Sequence, residues 1–362
     1  MEVSLHMVRV PARRIIASLV LTIGLLLTSF SPAAYVGTIG VAAASTSTVV
    51  QQIAKQLSVQ KASFTLSVPD VKKAESFIKE AMKADEYIGM LIKSYSIRTT
   101  SQPGKSKGTA VYKVDYLETK KQTDYVTAQA KKIVAKLTTS KMSDIQKEKV
   151  LHDYIASQVT YDKSLRKYTA YEALTTGEAV CQGYALLTYR LMQEAGIPVH
   201  IVSGTVSTGL HAWNKVKLDG KWYNVDTTWD SQKQVVYSYF NVTDAALKRD
   251  HSWKQGSLPA ANTDYREMLK AKIKAGDKYA IAYQAIMKDI GEQVATVEEA
   301  INVINDAIES RKPSVKFTYL YGRRKLSDDI DTMLKEHADV KSMSISYSYS
   351  NGIAIIEAKL GY

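Results

Sequence analysis

Only one cysteine, Cys181, occurs among the 362 residues. No intramolecular disulfide can form, so stability has to come from packing. A lone thiol in an exported chain is then either a buried bystander or a reactive group. Closely spaced pairs of zinc-type ligands are missing as well, and neither a metal nor an organic cofactor is expected. There is no arginine cluster and no nucleic-acid motif, so nucleic acid is not an expected partner. Beyond residues 1–44 no apolar run is long enough to span a bilayer, which leaves an uncleaved leader as the sole expected membrane contact. An apolar content of 45% is enough for a substantial core, and the length suits two or three domains.

Residues 1–44 read as a signal peptide. Arg9, Arg13 and Arg14 precede an apolar run from Ile15 to Leu27, and Val41-Ala42-Ala43-Ala44 offers the small residues a signal peptidase needs, so cleavage is expected near Ala44. The run is shorter than the roughly 20 residues of a permanent spanning helix. Removing the leader takes away the three arginines and Glu2, so the formal charge of +12 falls only by two. A secreted or cell-wall-associated basic protein is expected, one attracted to anionic wall polymer.

Three regions follow. Residues 45–125 read as an N-terminal α/β module: a helix-period stretch from Asp70 to Ala84, an extended run from Leu91 to Thr100, a loop at Pro103–Gly108, and a strand from Ala110 to Leu117. Residues 261–362 read as a helical linker and a C-terminal α/β module. Its elements are a helix (Val297–Ser310), a strand (Val315–Leu320), a helix (Leu326–His337), and two strands (Val340–Tyr349 and Ile353–Leu360) about an Asn351-Gly352 turn. Ser63-Phe64-Thr65-Leu66 parallels Lys316-Phe317-Thr318-Tyr319, so the flanks could be copies of one module. Residues 126–260 lie between them. They open with a capping box at Ser143 and Gln146 and hold all four tryptophans in their second half.

Cys181 stands just before a helix-period run in which Tyr184, Leu187, Leu191 and Ala195 recur, closed by Gly196 and Pro198. A thiol in the first helical turn faces unpaired N–H groups and the positive dipole end, which favour thiolate. His211 opens an extended stretch ending at Asp219-Gly220, a preferred hairpin turn, and Lys221 to Asp226 returns. If Leu218 pairs with Lys221, Trp213 falls opposite Asp226 and His211 opposite Thr228. His211 and Asp226 then become diagonal neighbours on one face, with Val216, Leu218, Tyr223 and Val225 on the other. Cysteine, histidine and aspartate so placed have the types needed for nucleophile, base and orienter in acyl transfer.

Val180-Cys181-Gln182-Gly183-Tyr184-Ala185, His211-Ala212-Trp213-Asn214 and Trp222-Tyr223-Asn224-Val225-Asp226-Thr227-Thr228-Trp229-Asp230 together resemble the transglutaminase-like superfamily in its bacterial secreted branch. The likeness covers roughly residues 145–255. It implies an α+β, papain-like core with the cysteine helix packed on an antiparallel sheet, here flanked by the small α/β modules, and it maps the family's catalytic residues onto Cys181, His211 and Asp226. Tyr161 and Trp213 are candidates to line the cleft. His251 in Asp250-His251-Ser252-Trp253 reads as structural, and His152 and His200 have no carboxylate partner that the sequence places.

Two functions fit. One is an exported cysteine acyl-transfer enzyme acting on protein or peptide amides, by crosslinking or by hydrolysis. The other is a non-catalytic wall-associated binding or scaffold protein on the same fold.

Overall fold

The computed structural model describes residues 2–8, 39–231, 235–254, 256, 258–321, 325–335, 340–350 and 353–362. The expected apolar run Ile15–Leu27 and the turn Asn351-Gly352 lie outside the described residues. Among the described residues no helix is long and apolar enough to cross a membrane. The chain divides into two compact units, residues 1–128 with 168–171, and residues 129–167 with 172–362.

The first unit contains β1 (Glu2–Val8), α1 (Ile39–Ser58), β2 (Ser63–Val68), α2 (Ala74–Ala84), α3 (Glu86–Leu91), β3 (Ile92–Ser101) and β4 (Gly108–Tyr116). Its sheet runs β1-β3-β4-β2, antiparallel throughout. Alternation does the work in β4: Ala110, Tyr112 and Val114 point inward, while Lys113 and Asp115 point out. Phe77, Ile78 and Ala81 give α2 its buried stripe. From this unit α4 (Lys120–Leu137) carries the chain onward.

In the second unit α5 (Asp144–Gln158) starts at the expected capping box, with Ser143 and Gln146 bonding each other's backbone N–H. Short strands β5 (Thr160–Tyr161) and β6 (Glu178–Ala179), separated by α6 (Ala170–Thr176), pair in parallel just before α7 (Cys181–Glu194). The main sheet is formed by β7 (Val199–Val206), β8 (Gly209–Leu218) and β9 (Lys221–Val225). The short helices α8 (Thr227–Asp230) and α9 (Asp244–Leu247) follow, then β10 (Ser252–Trp253), which gives the order β10-β7-β8-β9. Asp219 and Gly220 both have positive φ, +49° and +76°, as a two-residue hairpin turn requires. Leu218 pairs with Lys221 and the ladder runs up to Asn214 with Val225. There it stops: Asp226 leaves the strand to cap α8, so the expected pairing of Trp213 with Asp226 and of His211 with Thr228 does not form.

The chain then passes through α10 (Tyr265–Lys274) and α11 (Ala280–Ile290) into a second α/β assembly. This comprises β11 (Glu292–Val294), α12 (Val297–Glu309), β12 (Ser314–Tyr319), α13 (Leu326–Lys335), β13 (Ser342–Ser350) and β14 (Ile353–Gly361), with sheet order β11-β12-β14-β13. Here β12, α13, β13 and β14 follow the element order of β2, α2, β3 and β4, without a counterpart of α3. In both sets the last strand lies antiparallel between the other two. The architecture as a whole is mixed α and β. Its central feature is a cysteine-bearing helix against an antiparallel sheet, with Asn214 of β8 donating its amide to the Ala185 carbonyl of α7.

Candidate active site

Cys181 is the first residue of α7. The helix is held there by its own packing, with Tyr184, Leu186, Leu187, Leu191 and Met192 buried, and by the Tyr184 hydroxyl, which donates to the Val159 carbonyl at 2.5 Å. Ahead of it, Asp162 accepts backbone N–H groups from Ser164, Arg166 and Lys167, shaping a tight loop, and the N–H of Val180 bonds the Lys167 carbonyl. The segment entering the helix is therefore fixed on both sides. Cys181 itself is half-buried.

His211 comes from β8 and is buried. Its Nε2 lies 2.6 Å from Oδ2 of Asp226, and Cys181 is near enough to contribute to the electrostatics of the ring. A carboxylate can only accept, so Nε2 carries a proton, and Nδ1 is the ring nitrogen left available for proton transfer. Asp226 is fully buried. Its Oδ1 accepts from the N–H groups of Thr228 and Trp229, and its own N–H donates to the Tyr239 carbonyl. Leaving the strand to become a helix cap is thus what turns this carboxylate toward β8.

Burial opposes charge on His211, but the Asp226 charge and hydrogen bond, with the Cys181 contact, outweigh it and raise the imidazole pKa to about 10. For Asp226, burial pushes upward and is overcome by His211 first and His251 second, which hold the carboxyl well below the usual range.

His251, read from the sequence as structural, touches the same carboxylate. Its Nε2 is 3.1 Å from Oδ2 of Asp226, and its Nδ1 is 2.5 Å from Oδ1 of Asp250. Asp250 also accepts the Tyr239 hydroxyl at 2.6 Å. The one signal in sequence was the adjacency of Asp250 and His251; the partner Asp226 is brought in by tertiary folding alone. His211, Asp226 and His251 have the donor types of a metal site. Both Nε2 atoms, however, point at one carboxylate oxygen at hydrogen-bonding distance, which is the arrangement of two N–H donors sharing an acceptor, and no metal is assigned to them.

The other candidates fall as follows. Trp213 is 1% exposed: its ring stacks 6.1 Å from His211 and its Nε1 donates to Asn224, so it forms the wall behind the histidine. Tyr161 is 41% exposed in β5, beside the β6 strand that leads into Cys181. Asn224 in turn donates to Asp244, which pairs at 2.6 Å with the buried Lys215, so the floor of the site is cross-braced by polar contacts. For His152, whose carboxylate partner the sequence does not place, the ring meets Asp153 and Asp230, both at 3.2 Å.

Residues 131–227 match the model of the transglutaminase-like superfamily. Kyphoscoliosis peptidase of Mus musculus is 30% identical over 117 residues, 27% of this chain and 18% of that protein. The Homo sapiens protein of the same name is 29% identical over 117 residues, with the same shares. The chain thus spans less than a fifth of the length of these curated relatives. A crystal structure of a TGase aligns with 45% of this chain and 50% of its own at 18% identity, with a TM-score of 0.28.

Proposed function

We propose that this chain, whose residues 131–227 match the transglutaminase-like superfamily model, is a cysteine acyl-transfer enzyme acting on protein or peptide amides through Cys181, His211 and Asp226. What supports the reading is the buried His211, bonded to Asp226 through Nε2 at 2.6 Å, with Cys181 at the start of α7 among the groups that act on its ring. In this order of events Nδ1 of His211 takes the Cys181 thiol proton as Sγ attacks the amide carbonyl, and the imidazolium then gives that proton to the departing amine. A thioester remains. Water or a primary amine then attacks it, His211 takes the incoming proton, and the thiolate leaves. Asp226 accepts from Nε2 throughout, fixing the tautomer and stabilising the imidazolium. N–H groups in the first turn of α7 are the natural donors to the oxyanion.

The test follows a fluorescent primary amine into a glutamine-bearing protein, and new amino termini in the same mixture. Cys181→Ala should lose both signals. Retention of either would remove the enzymatic reading in favour of a wall-binding scaffold. The leader pattern and the +12 charge support placing the protein outside the cell against anionic wall polymer. Binding to purified walls that disappears in high salt is the expected result.

A further inference from the structure

We propose that His251, seated on Asp250, is a positioning residue that donates the second hydrogen bond to Oδ2 of Asp226 and so governs how that carboxylate holds His211. The inference rests on the catalytic reading of Cys181, His211 and Asp226, and concerns a residue outside that set.

A carboxylate has two acceptor sites on each oxygen. At Asp226 all four are filled: Thr228 and Trp229 N–H on Oδ1, and His211 and His251 Nε2–H on Oδ2. The group cannot rotate without losing donors it has no means to replace in a dry interior. His251 is itself gripped at both ends. Its Nδ1 meets Asp250, which is held by the Tyr239 hydroxyl, and its ring is walled by Trp213, Trp229 and Tyr239 at centroid distances of 5.0, 4.6 and 5.5 Å. The result is one chain of contacts, Tyr239 to Asp250 to His251 to Asp226 to His211, ending at the ring that faces Cys181.

Both nitrogens of His251 face carboxylate oxygens, so both carry protons and the ring is cationic. Burial disfavours that charge, but the bonds to Asp226 and Asp250 prevail. A cation 5.3 Å from the centre of the His211 ring offsets part of the Asp226 charge. It keeps His211 able to release its proton instead of holding it permanently. Among the described residues, Cys181, Asp230, Arg249 and Tyr184 are further ionisable groups acting on this chain of contacts.

The test is a histidine-ring NMR titration of the full chain with labelled histidine, in the native protein, His251→Gln and Asp250→Asn, with thermal melting as a fold control. Glutamine can donate to Asp226 but carries no charge. The His211 midpoint should rise by between about 0.5 and 2 pH units in His251→Gln, the span set by a unit charge at this distance in effective dielectrics of 80 and 20. Asp250→Asn, which removes the anion that holds the His251 charge, should also displace it, by less. If both variants melt cooperatively and the His211 midpoint stays where it is in the native protein, His251 is merely packing and the inference falls. Should His251→Gln not fold, Asp250→Asn alone decides by the same readout. The catalytic reading fails by a different result, acyl transfer that survives Cys181→Ala, and that result leaves the titration fully informative.

Discussion

His211 and Asp226 meet through a single hydrogen bond of 2.6 Å, although one sits within a strand and the other caps the helix that follows the neighbouring strand. The bond closes because Asp226 abandons the ladder one residue past Val225 and swings its carboxylate inward.

Replacing Asp226 by Asn retains the shape but introduces an amide whose NH2 can face His211 and reverse its tautomer. Acyl transfer should fall by on the order of 10⁴-fold, by analogy with other histidine–aspartate dyads. The His211 midpoint should also drop from about 10. Steady-state rates combined with the ring titration check both.

Gly204 pairs with His211 across β7 and β8, and a Cβ built there would come 2.3 Å from the Ser252 carbonyl and 2.7 Å from the Trp213 ring. Gly204→Ala must therefore displace β10 or the wall behind the histidine. A loss of about 1–3 kcal/mol in denaturant unfolding is expected, together with weaker Cys181-dependent activity.

The His211 contacts also make stability depend on pH. The folded ring keeps its second proton until about pH 10, whereas an unfolded histidine loses it near 6.5. The contribution is complete below pH 6.5 and declines as pH rises through about 10. Melting of the native protein against His211→Gln across this range should show the gap closing toward high pH.

Glu148, fully buried in α5, shows the opposite sense for a carboxyl. Burial raises its pKa to about 8, with His152 and the Asn241 hydrogen bond pulling the other way. Between about pH 4.5 and 8 the folded state holds a proton that the unfolded state has lost, so stability falls with rising pH and then levels. Glu148→Gln should match the native protein at pH 4 and exceed it at pH 9 by on the order of a few kcal/mol. Paired melting curves decide it.

Local signals explain what could be read without coordinates. Gly196 and Pro198 end α7, Asp219-Gly220 makes the hairpin turn and sets the register, and Ser143 with Gln146 starts α5. Each feature depends on neighbours a few residues apart. What stayed hidden depends on folding at long range. His251 reaches Asp226 from 25 residues away, and His152 reaches Asp230 from 78. Helix or strand periodicity can place such a ring on a buried face, but it cannot say which acid waits there. A search for ligand pairs at short spacing likewise passes over His211, Asp226 and His251, which three separate segments bring together. The hairpin turn sets the register correctly, but the expected pairs beyond Val225, Trp213 with Asp226 and His211 with Thr228, do not form because capping of α8 competes with the ladder for Asp226.

The central claim is that His211 activates Cys181, and the most direct measurement is the rate at which iodoacetamide alkylates Cys181 at pH 6, in the native chain and in His211→Gln. The account predicts that the native thiol reacts at least about tenfold faster than free cysteine and that the variant falls to the free-thiol rate. A native thiol no faster than free cysteine, or a rate unchanged by the loss of His211, would contradict it.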